Sequence, residues 1–174
     1  LISALAKISF TEKINTLNSP DLILERVNNE LIKNLSSNFY ITAFIGFLDL
    51  HNFKLTYCNA GHIYPLIYRR RKKKFIYLKT PGSFLGVYKD IKFENRSLYL
   101  IPDDILFLIT DGLYSLFKNK KDSVGRKPLE SFISNTKYKS PKDSVDQFKK
   151  LSRQFFKTNT QMDDITVILI EILT

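Results

Sequence analysis

Three acidic side chains stand where a chain of this kind could do chemistry. Asp111 follows the apolar run Ile105 to Thr110, and the pair Asp163-Asp164 precedes the apolar run Ile165 to Ile172. Short apolar runs bounded by turn residues read as buried strands. Asp111 then lies at one strand's C-terminal tip and Asp163-Asp164 at another's N-terminal tip. If the two strands are antiparallel neighbours, both tips share one edge of a sheet and the carboxylates converge. Converging carboxylates without His or Cys make an oxygen-rich site, suited to Mg²⁺ or Mn²⁺ rather than zinc. A plainer reading exists: Asp111-Gly112 is a turn whose aspartate caps the next helix, and Asp163-Asp164 ends a loop. From spacing alone the plainer reading is the commoner outcome, because Asp-Gly and Asp-Asp abound in loops.

Two other reactive side chains weigh less. An imidazole titrates near neutrality, so His62 could donate a proton to a leaving serine oxygen. Cys58, the single cysteine, lies in an alternating strand with no basic neighbour to lower its pKa, so a buried, inert thiol is expected. One cysteine excludes an internal disulfide and a cysteine-based zinc site, and fits a reducing, cytoplasmic compartment.

The positioning elements follow from periodicity. Leu1 to Phe10 is an apolar helical pattern with no cap before it. Ser19-Pro20 supplies an N-cap and a first-turn proline for a helix over 20–35, with Leu24, Val27, Leu31 and Leu35 on its inner face. Strands are expected at Ile41 to Leu50, Phe53 to Cys58, Ile63 to Tyr68, Phe75 to Leu78, Phe93 to Leu100 and Ile105 to Thr110, with short turns that imply antiparallel pairing. Helical spacing returns at Leu113 to Phe117 and Pro128 to Asn135, and Ser140-Pro141-Lys142-Asp143 is a capping box opening a longer helix. The 174 residues, 44% hydrophobic and with only six Gly and six Pro, exclude a disordered or low-complexity chain and favour one α+β domain spanning 1–174. No apolar stretch approaches the roughly 20 residues of a membrane span.

A net charge of +10 favours acidic partners without choosing among them. Its densest cluster, Arg69-Arg70-Arg71-Lys72-Lys73-Lys74, lies between two strand-like runs and is expected to be an exposed, mobile hairpin tip. No base-stacking motif accompanies it, so nucleic acid is not an expected partner.

Four ordered motifs carry a resemblance over nearly the whole chain. Asn59-Ala60-Gly61-His62 with Pro65, Pro81-Gly82-Ser83-Phe84-Leu85-Gly86, Thr110-Asp111-Gly112-Leu113, and Asp163-Asp164-Ile165-Thr166-Val167 resemble the sporulation protein E and sigma-regulator branch of the bacterial metal-dependent, protein phosphatase 2C-like phosphatases. The resemblance implies an αββα sandwich of two antiparallel sheets flanked by helices, with a binuclear Mg²⁺ or Mn²⁺ centre at one edge and phosphoserine or phosphothreonine proteins as substrates. By it, Asp111 and Asp163 are metal ligands, Asp164 and Gly112 lie just behind them, and Gly61, His62 and Gly86 are structural. Two hard cations would activate a bridging water, so no nucleophilic side chain is needed.

The family's D-x-x-G-H-G motif, which supplies the bridging aspartate, is absent from these residues. The implied domain therefore lacks its first strands, holds one ion or none where the complete domain holds two, and leaves a dimer through the exposed sheet edge possible. Asp103 stands where Gly is usual, Ser115 where an acidic residue is usual, and Val124 where Phe is usual. The resemblance implies a cytoplasmic phosphatase acting on a phosphorylated regulatory protein of the anti-sigma-factor-antagonist type, as output domain of a longer sensor that could be membrane-attached. The alternative is a catalytically inactive pseudophosphatase, a protein-binding module on the same fold.

Overall fold

The computed structural model describes residues 2–34, 39–117, 125–136, 141–157 and 164–173. Leu35, Val124 and Ser140 lie outside the described residues. Helices α1 (Ile2–Thr16), α2 (Pro20–Asn34), α3 (Asp111–Ser115), α4 (Arg126–Asn135) and α5 (Pro141–Phe156) accompany strands β1 (Ala43–Asp49), β2 (Lys54–Ala60), β3 (Leu66–Arg69), β4 (Lys74–Tyr77), β5 (Arg96–Tyr99), β6 (Asp104–Ile109) and β7 (Val167–Glu171). They form two compact units, Leu1–Tyr64 with Leu78–Leu100, and Pro65–Tyr77 with Ile101–Thr174. Among the described residues no helix is long and apolar enough to cross a membrane.

The first unit carries the antiparallel sheet β1-β2-β5. Ile23, Leu24, Val27 and Leu31 on one face of α2 are fully buried against Ile45, Cys58, Ala60, Leu85 and Phe93. Each such side chain contributes about 1.5–3 kcal/mol by leaving water. Ser19 begins α2 through its carbonyl, which accepts the Ile23 N–H at 3.1 Å. Its hydroxyl does not cap the helix. It bonds the Asp21 carboxylate and accepts from Asn95 Nδ2, and the Asp21 N–H is taken by Asn95 Oδ1 at 3.0 Å. The cap is therefore tertiary, supplied from 74 residues away.

In the second unit the sheet order is β4-β3-β6-β7, all antiparallel. Leu66, Ile67 and Tyr68 of β3 and Ile105, Leu106, Phe107 and Ile109 of β6 are buried, as central strands require. Phe148 of α5 meets Phe107 edge-on and Phe132 of α4 at 5.1 Å between centroids. The expectation of a buried last strand needs correction: β7 lies at the end of the sheet, with Ile168 and Ile170 exposed. The run Ile63 to Tyr68 shortens to β3, which begins just after Pro65, a residue with no N–H for a ladder bond.

The basic tip also differs from expectation. Its three arginines are paired: Arg69 with Asp104 at 3.3 Å, Arg70 with Glu171 at 2.7 Å and Arg71 with Asp103 at 2.7 Å. Asp103 holds a left-handed backbone (φ 71°), which explains why glycine suits that position and why a charged partner helps to offset the strain. Burial pushes the Asp104 carboxyl up, opposed by the Ile101 N–H and the Arg69 guanidinium. Arg71 to Lys74 are exposed, as expected of a hairpin tip. Arg70→Ala, which strands Glu171, should cost about 1 kcal/mol or more and lower Tm by roughly 2–4 °C. The pair Lys72→Glu and Lys73→Glu should stay within about 0.5 kcal/mol of the parent. Thermal melts compare them, and equal losses would show that the arginine pairs add nothing.

Candidate metal centre

β6 pairs with β7 so that Ile109 faces Val167, and the chain beyond that register carries the acidic residues. Thr110 laces the two strand ends together. Its N–H donates to Thr166 O at 3.1 Å, its hydroxyl donates to Asp164 O at 3.2 Å, and that same hydroxyl accepts the Thr166 N–H at 2.9 Å. Thr110 stands at the N-cap of α3 with extended backbone, yet its side chain makes no capping bond, being committed to β7. Gly112 permits the close approach: a Cβ there would sit 2.3 Å from Asp164 O.

Asp111 and Asp164 thus reach the same sheet edge, both exposed. Asp163, adjacent in sequence, lies outside the described residues. The Asp111 carboxylate accepts the Gly112 N–H at 3.1 Å and opens the first turn of α3, where a negative charge is favoured. Among the described residues no group of three or more His, Cys, Asp or Glu side chains is placed to hold a metal. An exposed anionic oxygen on a fixed edge fits a hard divalent cation.

The other sequence-predicted residues sit in the first unit. Asn59 clamps the Gly61-His62 turn, its Oδ1 accepting the His62 N–H at 2.8 Å and its Nδ2 donating to His62 O at 3.0 Å. Gly61 has φ +67° under the Phe84 ring. His62 Nδ1 lies 3.1 Å from the Thr42 hydroxyl. Gly86 donates its N–H to Asn28 Oδ1 at 2.9 Å. Cys58 is fully buried, and burial pushes its thiol up, so it is a neutral thiol at physiological pH.

Sequence reasoning missed the surroundings of α3. Tyr114, 4% exposed, has its hydroxyl beside the Arg126 guanidinium of α4. That guanidinium lies over the Tyr77 ring, 4.7 Å from its centroid, and the Tyr77 hydroxyl donates to Glu130. Burial raises both phenols. Arg126 pulls each back, while Glu130 pushes in the direction of burial.

Among the described residues, two antiparallel sheets and five helices, with Thr-Asp-Gly closing β6, match the protein phosphatase 2C fold of solved structures. The chain belongs to the Stage II sporulation protein E (SpoIIE) family, whose model it matches over residues 1–173. It is similar to the SiaA-PP2C domain of Pseudomonas aeruginosa, with TM-score 0.82 and 18% identity over 98% of this chain and 69% of that one. It is also similar to the Mn-presoaked phosphatase domain of the cell fate determinant SpoIIE from Bacillus subtilis, with TM-score 0.65 and 16% identity over 95% and 70%. Protein IcfG of Synechocystis sp. (strain ATCC 27184 / PCC 6803 / Kazusa) is 30% identical over 132 residues, 75% of this chain. The chain spans a fifth of that curated relative's length.

Gly112→Ala should destabilise by about 1–3 kcal/mol, because its new methyl meets backbone that cannot swing aside. Gly46→Ala, whose Cβ would meet side chains alone, Leu55 at 3.1 Å and the Phe44 ring at 3.4 Å, should cost less in the same denaturation series. The phenols predict a pH effect. An unfolded tyrosine ionises near pH 10, and the fold holds Tyr77 and Tyr114 higher. Their contribution to stability is therefore intact below about pH 10 and is lost as pH rises through the folded values. Phenolate absorbance of the native protein just above pH 10 should jump on unfolding, and the jump should shrink in Tyr77→Phe and Tyr114→Phe.

Proposed function

We propose that residues 1–174 act as one metal-dependent protein serine/threonine phosphatase domain whose substrate is a phosphorylated regulatory protein of the anti-sigma-factor-antagonist type. The observation that carries this reading is the laced β6–β7 edge, where Thr110 and Gly112 bring Asp111 beside the backbone of Asp164. Membership of the SpoIIE family and the phosphatase 2C fold support it.

In this reading Asp111 and Asp163 hold Mg²⁺ or Mn²⁺, and Asp164 braces the pair from behind. Bound there, the cation supplies a lowered water pKa and polarises phosphoryl oxygens. The chain's own task is positional: Thr110 fixes the spacing of the two acidic segments, and Gly112 lets them approach. His62 and Cys58 take no part in the chemistry. Clamped backbone and a contact with Thr42 hold the first, and burial keeps the second protonated.

A second reading is a pseudophosphatase that keeps the same family fold as a binding module. Phosphate release from a phosphorylated anti-sigma-factor antagonist, measured with the full-length protein and Mn²⁺, separates the two. Asp111→Asn and Asp163→Asn should each lower kcat/KM by at least about 100-fold, since even residues behind the ligands cost 10–100-fold in such sites. Unchanged rates in both variants would sink the site assignment, and no phosphate release by the parent would favour the binding module.

A further inference from the structure

The helix that carries Asp111 cannot hold itself in place. α3 has five residues, well short of the roughly 12–15 at which a helix becomes even marginal alone. Thr110 ties its first turn to β7, but nothing in that tie fixes its other end. Leu113 and Tyr114 do so by burial, and Tyr114 lies three residues after Asp111, on the neighbouring position of the next turn. A shift of the Tyr114 ring is therefore a shift of the Asp111 backbone.

What the Tyr114 hydroxyl meets is unusually confined. Arg126, the first residue of α4, lies over the ring of Tyr77 in β4, and Tyr77 is itself held by its bond to Glu130, one turn along α4 from Arg126. Arg126 Nε is buried with no hydrogen-bond partner among the described residues. A buried donor left without a partner destabilises the fold. A guanidinium kept in that condition has been placed for its other contacts, the stack on Tyr77 and the hydroxyl of Tyr114. Three elements, α3, β4 and α4, thus meet at one planar cation.

We propose that Tyr114 and Arg126 are positioning residues for Asp111: their contact sets where the Asp111 carboxylate stands on the β6–β7 edge, and thereby how tightly the edge holds a divalent cation. This rests on the reading of Asp111 as a metal ligand. Neither side chain touches substrate or metal in this account, and both act through the backbone of α3. Tyr77 and Glu130 belong to the same cluster but bear on Arg126 from β4 and α4, so in this account they stabilise it without setting Asp111.

The test is Mn²⁺ affinity of the full-length protein, read from the electron paramagnetic resonance signal of free Mn²⁺, alongside phosphatase rates at varied Mn²⁺. Tyr114→Phe and Arg126→Gln should each raise the Mn²⁺ dissociation constant about 10-fold, the lower end of what displaced supporting residues cost. kcat at saturating Mn²⁺ should change by less than about threefold. Tyr77→Phe should lower Tm comparably yet leave Mn²⁺ affinity within about twofold. The double variant Tyr114→Phe with Arg126→Gln should be no weaker than the worse single one, because both remove the same contact. Equal weakening by Tyr77→Phe would mean a merely structural cluster and overturn the proposal. Parent-like Mn²⁺ binding in both Tyr114→Phe and Arg126→Gln, with binding lost in Asp111→Asn, would overturn it while leaving the phosphatase reading intact. Parent-like binding and activity in Asp111→Asn would remove the reading beneath it.

Discussion

One threonine hydroxyl holds the rest of the site together. Thr110 Oγ1 gives a hydrogen bond to Asp164 O and receives one from the Thr166 N–H, so it acts as an extra rung beyond the last backbone pair of β6 and β7. Side-chain hydroxyls at such places usually cap the helix that follows. Here that role is given up, and α3 starts uncapped. The exchange makes chemical sense, because the helix is short and tied by its buried residues, whereas two acidic segments at a strand end repel one another and need a fixed separation. Gly112 completes the arrangement by removing the one atom that would force the segments apart.

Each unit solves the same problem with different means. In the second, a turn that presents a carboxylate is fixed by hydroxyl bonds and a buried phenol. In the first, Asn59 closes the Gly61-His62 turn with two bonds from one amide, and its own N–H is taken by the Thr80 hydroxyl at 2.8 Å. Both turns rely on short polar side chains bonding backbone, Asn59 three residues away and Thr110 on the neighbouring strand end, with a glycine where another chain segment comes close. Such groups cost little entropy to order, which suits positions that must be exact but contribute little apolar burial.

Much of this was legible because the relevant patterns are local. Two apolar runs with acids at opposite tips announce an edge site once the strands pair antiparallel, and the α2 face announces itself through three- and four-residue steps. What escaped is what depends on distant partners. Asn95 serves the start of α2, Glu171 neutralises Arg70 from 101 residues away, and β5 pairs with β2 in preference to its sequence neighbour β4. The basic run looked like a solvated tip since nothing nearby in sequence could balance it, and the acids that do so arrive on β6 and β7. Tyr77, Tyr114, Arg126 and Glu130 come from three elements with no shared spacing, so no period could have grouped them. Arginine and lysine read alike in a charge run, yet Arg69 and Arg70 are drawn partly into the fold while Arg71 pairs at the surface, uses that their planar, weakly hydrated heads favour.

The position of β7 at the end of its sheet has a consequence for length rather than for strength. An outer strand is held by one neighbour only, and a slip of a single residue would move it about 3.3 Å and turn its faces over. Two fastenings oppose that slip at opposite ends of the strand: Thr110 at the acidic end, and the Arg70–Glu171 ion pair with the Ile172 and Asp104 backbone bonds at the other. A displacement of that size would carry Asp164 away from the Thr110 hydroxyl, which bonds its carbonyl at 3.2 Å. The far ion pair therefore works as a gauge block, choosing which residue arrives beside Asp111. A charge on the basic hairpin, a strand's length from the acids, sets a distance it never touches.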